Sequence, residues 1–199
     1  RNYSGPNLLC FERDISGMAY IEYNLESSWT QKGSDLDGEA TADQYGDVVS
    51  VSSDGNVVVI GSSFNDGGGN NSGHARVFAW DGSDWIQRGN DIDGEASSDQ
   101  VSAVSLSSDG TIVAVGAEWN DGGGSNSGHV RVFEWDGSTW TKIGNDIDGA
   151  SGSFSGGSIN LSSDGTVIAS GAMRYDITGY ADAGYVGVYE YDGSSWIQR

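Results

Sequence analysis

Apolar and polar residues alternate along short segments of this chain, and each segment ends in a turn. The pattern is clearest between residues 101 and 144, where it predicts four strands. Alternation with a period of two is typical of a β-strand that has one buried face. The predicted strands cover residues 101–107, 111–117, 129–135 and 139–143. Since no segment keeps an apolar period of 3.6, we expect almost no helix.

Three features of this segment recur along the chain at a nearly constant distance. The tripeptide Ser53-Asp54-Gly55 returns twice, each time after 55 residues. The loop that begins Asn-Asp-Gly-Gly-Gly occurs at residues 65–69 and 120–124, and tryptophans recur at intervals of 55 or 56 residues. They are Trp29, Trp85, Trp140 and Trp196. Repeats of this size that contain four short strands indicate the blades of a β-propeller.

The repeats predict an all-β fold, a β-propeller-like array of four-stranded antiparallel blades. Three blades are complete, at residues 46–89, 101–144 and 157–199, and a degenerate N-terminal blade occupies residues 1–33. We treat residues 1–199 as a single propeller domain or as a fragment of one. The tryptophan pairs Trp80/Trp85 and Trp135/Trp140 are expected to pack between blades.

Composition narrows the classes of function. The formal net charge is −20, so we expect neither a nucleic-acid partner nor attraction to an anionic membrane. Cys10 is the single cysteine, which excludes an internal disulfide and a cysteine-based zinc site. No stretch approaches 18 apolar residues, so we expect no membrane insertion. The chain begins at Arg1 without a methionine, and we interpret it as processed or as a piece of a longer protein.

Residues 101–117, with the sequence VSAVSLSSDGTIVAVGA, resemble the FG-GAP repeat of integrin-alpha-type propellers. The resemblance extends over about residues 34–199. It implies a secreted or cell-surface protein that mediates adhesion or binds partners, with calcium in its blade loops. In that family the calcium loop joins the first two strands of a blade. Here the connection shrinks to Ser-Asp-Gly, so the family's site does not carry over in place.

The acidic connections between blades are the candidate calcium sites. Each has carboxylates at relative positions 1, 3, 5 and 9, from which several oxygen ligands can converge on one ion. The predicted metal ligands are Asp35, Asp37, Glu39, Asp43, Asp91, Asp93, Glu95 and Asp99. A third copy keeps only Asp146 and Asp148. The alternative is a solvated loop whose acids accept hydrogen bonds from backbone amides.

Other polar motifs have weaker functional interpretations. The glycine-rich loops offer carbonyl oxygens to an ion, or are simply connections between strands. His74 and His129 stand at equivalent positions and are expected to be structural. Three Asn-X-Ser patterns mark glycosylation acceptors, with Asn70 as the best and with Asn2 and Asn160 as further candidates.

We therefore expect an extracellular, non-enzymatic structural or adhesive protein that can self-assemble into a fibre or an array. An incomplete N-terminal blade would leave strand edges open to a neighbouring copy. The alternative is a discrete carbohydrate- or protein-binding propeller, in which Trp119 stacks on a sugar. A third hypothesis is an enzyme built on the divergent loop at residues 174–185, with Tyr175, Asp176 and Asp182.

Overall fold

The computed structural model describes residues 29–199. The chain divides into two compact units, residues 1–32 and residues 33–199. In the first unit, residues 29–32 form no regular secondary structure, so the prediction that they are the fourth strand of the degenerate N-terminal blade is wrong. The rest of the predicted N-terminal blade lies outside the described residues.

Residues 33–199 form an all-β fold of short antiparallel strands. The strands are β1 (Tyr45–Val51), β2 (Val57–Ser62), β3 (His74–Trp80), β4 (Trp85–Gln87), β5 (Ile92–Asp93), β6 (Val101–Leu106), β7 (Ile112–Ala117), β8 (His129–Trp135), β9 (Trp140–Lys142), β10 (Ile147–Asp148), β11 (Ser155–Leu161), β12 (Val167–Ala172), β13 (Tyr185–Tyr191) and β14 (Trp196–Gln198).

The strands make three sheets that follow one another along the chain. The first sheet has the order β1-β2-β3-β4 with β5 paired to β3, and the second has β6-β7-β8 with both β9 and β10 paired to β8. The third sheet has the order β11-β12-β13-β14. The described residues contain no helix, as the alternating pattern predicts, and so no helix that could cross a membrane.

Each sheet packs one face on the next, and the core lies in these two layers. Between the first and second sheets, Val59 and Val77 pack with Val113 and Val115, all at most 1% exposed. Between the second and third sheets, Val132 packs with a core that includes Ile168. In the second sheet, β6, β7 and β8 are buried along most of their length, because both faces of this sheet are covered.

The Ser-Asp-Gly turns connect the sheets as well as the strands. The backbone nitrogen of Ser53 donates to the carbonyl of Ser108 at 2.9 Å, and that of Ser108 donates to the carbonyl of Ser163 at 2.8 Å. Gly55 and its equivalents adopt a positive φ, which glycine tolerates at little cost. One backbone hydrogen bond per turn thus joins successive sheets, and the hydroxyls of Ser53 and Ser108 add side-chain bonds between the first and second sheets.

The tryptophans lie where one sheet meets the chain that leaves the previous one. The indole Nε1 of Trp140 donates to the carbonyl of Arg88 at 2.7 Å, and Nε1 of Trp196 donates to the carbonyl of Ile143 at 3.1 Å. A side chain at Gly89 would clash with Trp135 and Trp140. The expected packing between repeats is confirmed for the pair Trp135/Trp140, and Trp196 of the third sheet makes the equivalent contact.

Candidate functional site

Two clusters of one histidine and two acids stand at equivalent places in the first and second sheets. We call them the first seam cluster, Glu39, His74 and Asp91, and the second seam cluster, Glu95, His129 and Asp146. Within each cluster one potential ligand atom from each of the three residues lies within 4.8 Å of the others. In the described part of the chain these are the groups of three or more such side chains with this geometry.

The short strands β5 and β10 build these clusters. β5 pairs with the start of β3 so that His74 stands opposite Asp93, and this places Asp91 beside the imidazole. The Nδ1 atom of His74 lies 3.5 Å from Oδ2 of Asp91. In the second sheet β10 pairs with β8 in the same way, and Nδ1 of His129 lies 3.9 Å from Oε2 of Glu95.

An arginine two residues after each histidine fixes the acidic connection that precedes its sheet. Arg76 donates to Oε1 of Glu39 at 3.0 Å and to the carbonyl oxygen of Asp37 at 2.8 Å. Arg131 donates to the carbonyl oxygen of Asp93 at 2.6 Å and to Glu95 at 3.4 Å. Both arginine side chains are largely buried, so these bonds position one acid of each cluster.

Burial sets the charge state of the clusters. Desolvation lowers the pKa of His74 and of His129, so both imidazoles are neutral at pH 7. Desolvation also raises the pKa of Asp93 and of Asp148, which lie on β5 and β10. A neutral imidazole has a lone pair available to a metal ion.

The predicted calcium ligands are distributed among several partners. Glu39 and Glu95 pair with arginines, while Asp91 accepts a hydrogen bond from Gln87 at 2.6 Å. Asp43 and Asp99 are 6% and 4% exposed, and they accept bonds from Asn65 and Asn120. These last two acids hold the glycine-rich loops in place. Calcium binding by the connections, with Asp35 and Asp37, stays a prediction.

The glycine-rich loops are fixed by their own side chains. Asn65 accepts from the backbone nitrogen of Gly67 at 2.8 Å, and Asp66 accepts from that of Asn71 at 2.7 Å. The loop at residues 120–128 repeats these bonds. These hydrogen bonds within each loop are sufficient to order it without a bound ion.

The remaining predicted residues have simple placements. Asn70 and Asn160 are exposed, whereas Asn2 lies outside the described residues. Trp119 is 38% exposed, and its ring packs edge-on against Phe154 with centroids 4.8 Å apart. In the divergent third loop, Asp176 accepts from the backbone nitrogen of Asp182 at 2.8 Å.

A cleft of about 180 Å³ opens beside the first seam cluster. Carboxylates, one guanidinium and aromatic rings line it, a combination that suits a polar ligand with one apolar face. The lining residues are Asn90, Asp91, Ile92, Asp93, Arg131, Phe133, Thr139 and Trp140.

The comparison with known proteins identifies no family. No family model matches the chain, and no curated protein matches it either. Among solved structures, the chain is similar to a putative 6-phosphogluconolactonase from Bacteroides uniformis, at 16% identity and a TM-score of 0.49. It is also similar to a chain in the complex of KlAtg21 with the coiled-coil of AgAtg16, at 15% identity and a TM-score of 0.45. Both alignments cover 76% of this chain, but they span only 39% and 56% of those chains.

Proposed function

We propose that this chain is an extracellular, non-enzymatic structural or adhesive protein of the FG-GAP-like, β-propeller-like repeat type. In this proposal it acts by stacking sheet faces, including the faces of other copies of itself. The observation that carries the proposal is the apolar surface on the two outermost sheet faces. Val49 and Val51 of the first sheet are 64% and 59% exposed, and Val186 and Val188 of the third are 65% and 38% exposed.

The equivalent positions inside the stack are covered by a neighbouring sheet. They lie 55 or 56 residues from the four exposed valines, and none is more than 9% exposed; they are Val104, Leu106, Val130 and Val132. Within residues 29–199, the outermost faces therefore have the residue types of an internal layer but no neighbouring sheet that covers them. Exposed apolar patches of this kind mark interaction surfaces.

A second copy of the chain, seated head to tail, is the occupant that these faces favour. The third sheet of one copy would meet the first sheet of the next in the same way that sheets meet within a copy. Such an interface is heterologous, so it gives a ring if the rotation closes and a fibre if it does not. The same contact can thus complete a propeller or extend an array.

The acidity of the chain opposes this association. Each copy has a net charge of −20, so neighbouring copies repel one another unless ions screen them. Salt, or the calcium that the family resemblance implies, would favour assembly. A structural role also fits the acids themselves. Asp43 and its equivalent Asp99 each accept a hydrogen bond from an asparagine, and Glu39 and its equivalent Glu95 each pair with an arginine.

Sedimentation velocity over a range of protein concentrations tests the proposal. We expect larger species to grow with concentration at physiological salt, and to shrink at low salt. Val186→Lys should abolish them, since it places a charge on the open face of the third sheet. Ile86→Lys is the matched control, because Ile86 is 54% exposed but lies at the rim of a face that is already packed. A parent protein that stays monomeric throughout, with and without calcium, would overturn the proposal.

The cleft beside the first seam cluster favours discrete ligand binding as a second candidate. Its volume of about 180 Å³ suits a single sugar ring, and Asp93 and Trp140 supply a hydrogen-bonding group and an aromatic surface. A glycan array tests this function. Binding that is lost in Asp93→Asn would support a lectin, and an array without any signal would exclude carbohydrate.

A further inference from the structure

We propose that each seam cluster binds a first-row divalent transition-metal ion such as Zn²⁺, through an imidazole Nδ1 and two carboxylates. This site shares Glu39, Asp91 and Glu95 with the predicted calcium sites, but it combines them differently and adds a histidine nitrogen. It takes one acid from the connection before the sheet and one from the connection after it, with a histidine of the sheet between them. It would thus join two connections that lie 52 residues apart in sequence, at Glu39 and Asp91.

The histidines supply the observation that points to a ligand. His74 and His129 are each 1% exposed, and Nδ1 of each ring faces the carboxylates of its cluster, while Nε2 on the other side of the ring has no hydrogen-bond partner in the described part of the chain. Their Nδ1 atoms face carboxylates at 3.5 and 3.9 Å, longer than a good hydrogen bond. An ion held at Nδ1 would give each buried ring a strong polar partner on the side of the carboxylates, and the ring proton would then be on Nε2.

The donor set selects the class of metal. Imidazole nitrogen with carboxylate oxygen suits Zn²⁺ and its first-row neighbours, whereas Ca²⁺ prefers oxygen donors alone. The second carboxylate oxygen of Glu39 stays available while its Oε1 pairs with Arg76. The arginine would then orient a ligating acid, as groups outside the coordination sphere commonly do.

The third repeat lacks the histidine, the arginine and the first acid of the arrangement together. Tyr185 stands at the histidine position, Gly187 at the arginine position and Ala150 at the position of Glu95. The joint loss indicates that the three residues act as one unit, since the arginine positions the acid and the acid faces the histidine. The described residues therefore contain two complete clusters, together with a third repeat that lacks the histidine and the first acid.

The two clusters differ by one charge. Asp146 forms an ion pair with Lys142 at 2.7 Å, whereas its equivalent Asp91 accepts from the neutral Gln87. The ammonium competes with the metal for the carboxylate, so the second cluster should bind Zn²⁺ roughly tenfold more weakly than the first. This difference allows the two sites to be distinguished in one titration.

Isothermal titration of the metal-free chain with Zn²⁺ tests the proposal. We expect two sites, of which Asp91→Ala removes the tighter and Asp146→Ala the weaker. Both substitutions are at partly exposed side chains, and circular dichroism should show each variant folded. Glu134→Ala is the matched control, because Glu134 is an exposed acid outside both clusters and its loss should leave both sites intact.

A second readout uses Co²⁺, whose visible absorption reports nitrogen and oxygen ligation. Substituting Asn for both His74 and His129 should abolish the bands, and millimolar Ca²⁺ should not displace the ion. Three results would each overturn the proposal: no saturable Zn²⁺ binding, two sites retained in the doubly substituted Asp91→Ala/Asp146→Ala variant, or displacement by Ca²⁺ at equal concentration.

Discussion

Addition of a single methyl group should have different effects on the covered face of a sheet and on the open face. Gly61, Gly116 and Gly171 occupy the same position in the three sheets, 55 residues apart. A Cβ added at Gly116 would overlap the carbonyl oxygen of Gly156 in the third sheet. At Gly171 the nearest atom would be the carbonyl oxygen of Ser158, at 3.6 Å, an ordinary contact. Neither Gly116 nor Gly171 has a positive φ, so alanine is not strained at either.

The two alanine substitutions should therefore have opposite effects. Gly116→Ala forces the backbones of β7 and β11 apart, and overpacking of this kind costs about 2–3 kcal/mol. Gly171→Ala should stabilise the fold by about 0.4–1 kcal/mol, because it reduces the freedom of the unfolded chain. The difference of about 3 kcal/mol corresponds to roughly 6–12 °C in melting temperature for a chain of this size.

Differential scanning calorimetry of both variants and the parent, at a concentration where the chain is monomeric, measures this difference. Gly116→Ala should melt below the parent, and Gly171→Ala at or above it. Equal melting temperatures of the two variants would refute the stacking of the second sheet on the third. If Gly171→Ala lowers the melting temperature only at high protein concentration, another copy of the chain covers that face.

Two further predictions concern the turns and the indoles. The pKa of Asp164 is lowered to about 2, above all by the hydrogen bond from Ser162, so its contribution to stability is present above the ordinary pKa and is lost as the pH falls through 2. Asp164→Asn should therefore show a smaller fall in melting temperature between about pH 5 and pH 2 than the parent. Trp140→Phe removes the donor to the carbonyl of Arg88 and should lower the free energy of unfolding by about 1–2 kcal/mol, as measured by urea denaturation.

The strands of each sheet could be predicted because local sequence determines them. The predicted strand at residues 129–135 coincides with β8, and the other three predicted strands of that repeat differ by one residue at one or both ends. The two-residue strands β5 and β10 were missed, since Ile92 with Asp93 is too short to show a period. They form because a buried isoleucine anchors the connection to the edge of the sheet.

The seam clusters could be predicted only in part, because tertiary contacts bring their side chains together. Repetition marks His74 and His129 as equivalent, and spacing marks the acids as a set. The sequence does not indicate that Glu39 turns towards Arg76 while Asp43 turns towards Asn65, because those pairings depend on tertiary contacts between residues 22 to 37 positions apart. A sequence signal did exist: the histidine, the arginine and the glutamate are lost together in the third repeat.

The hydrogen bonds between successive Ser-Asp-Gly turns have a mechanical consequence. A stretching force would load one sheet-to-sheet layer at a time, because each sheet contacts mainly its neighbours. When a sheet gives way, its 55-residue repeat would release about 180–200 Å of extended chain. Under tension the molecule would lengthen in equal increments, and each increment would dissipate energy while the remaining sheets still held the load.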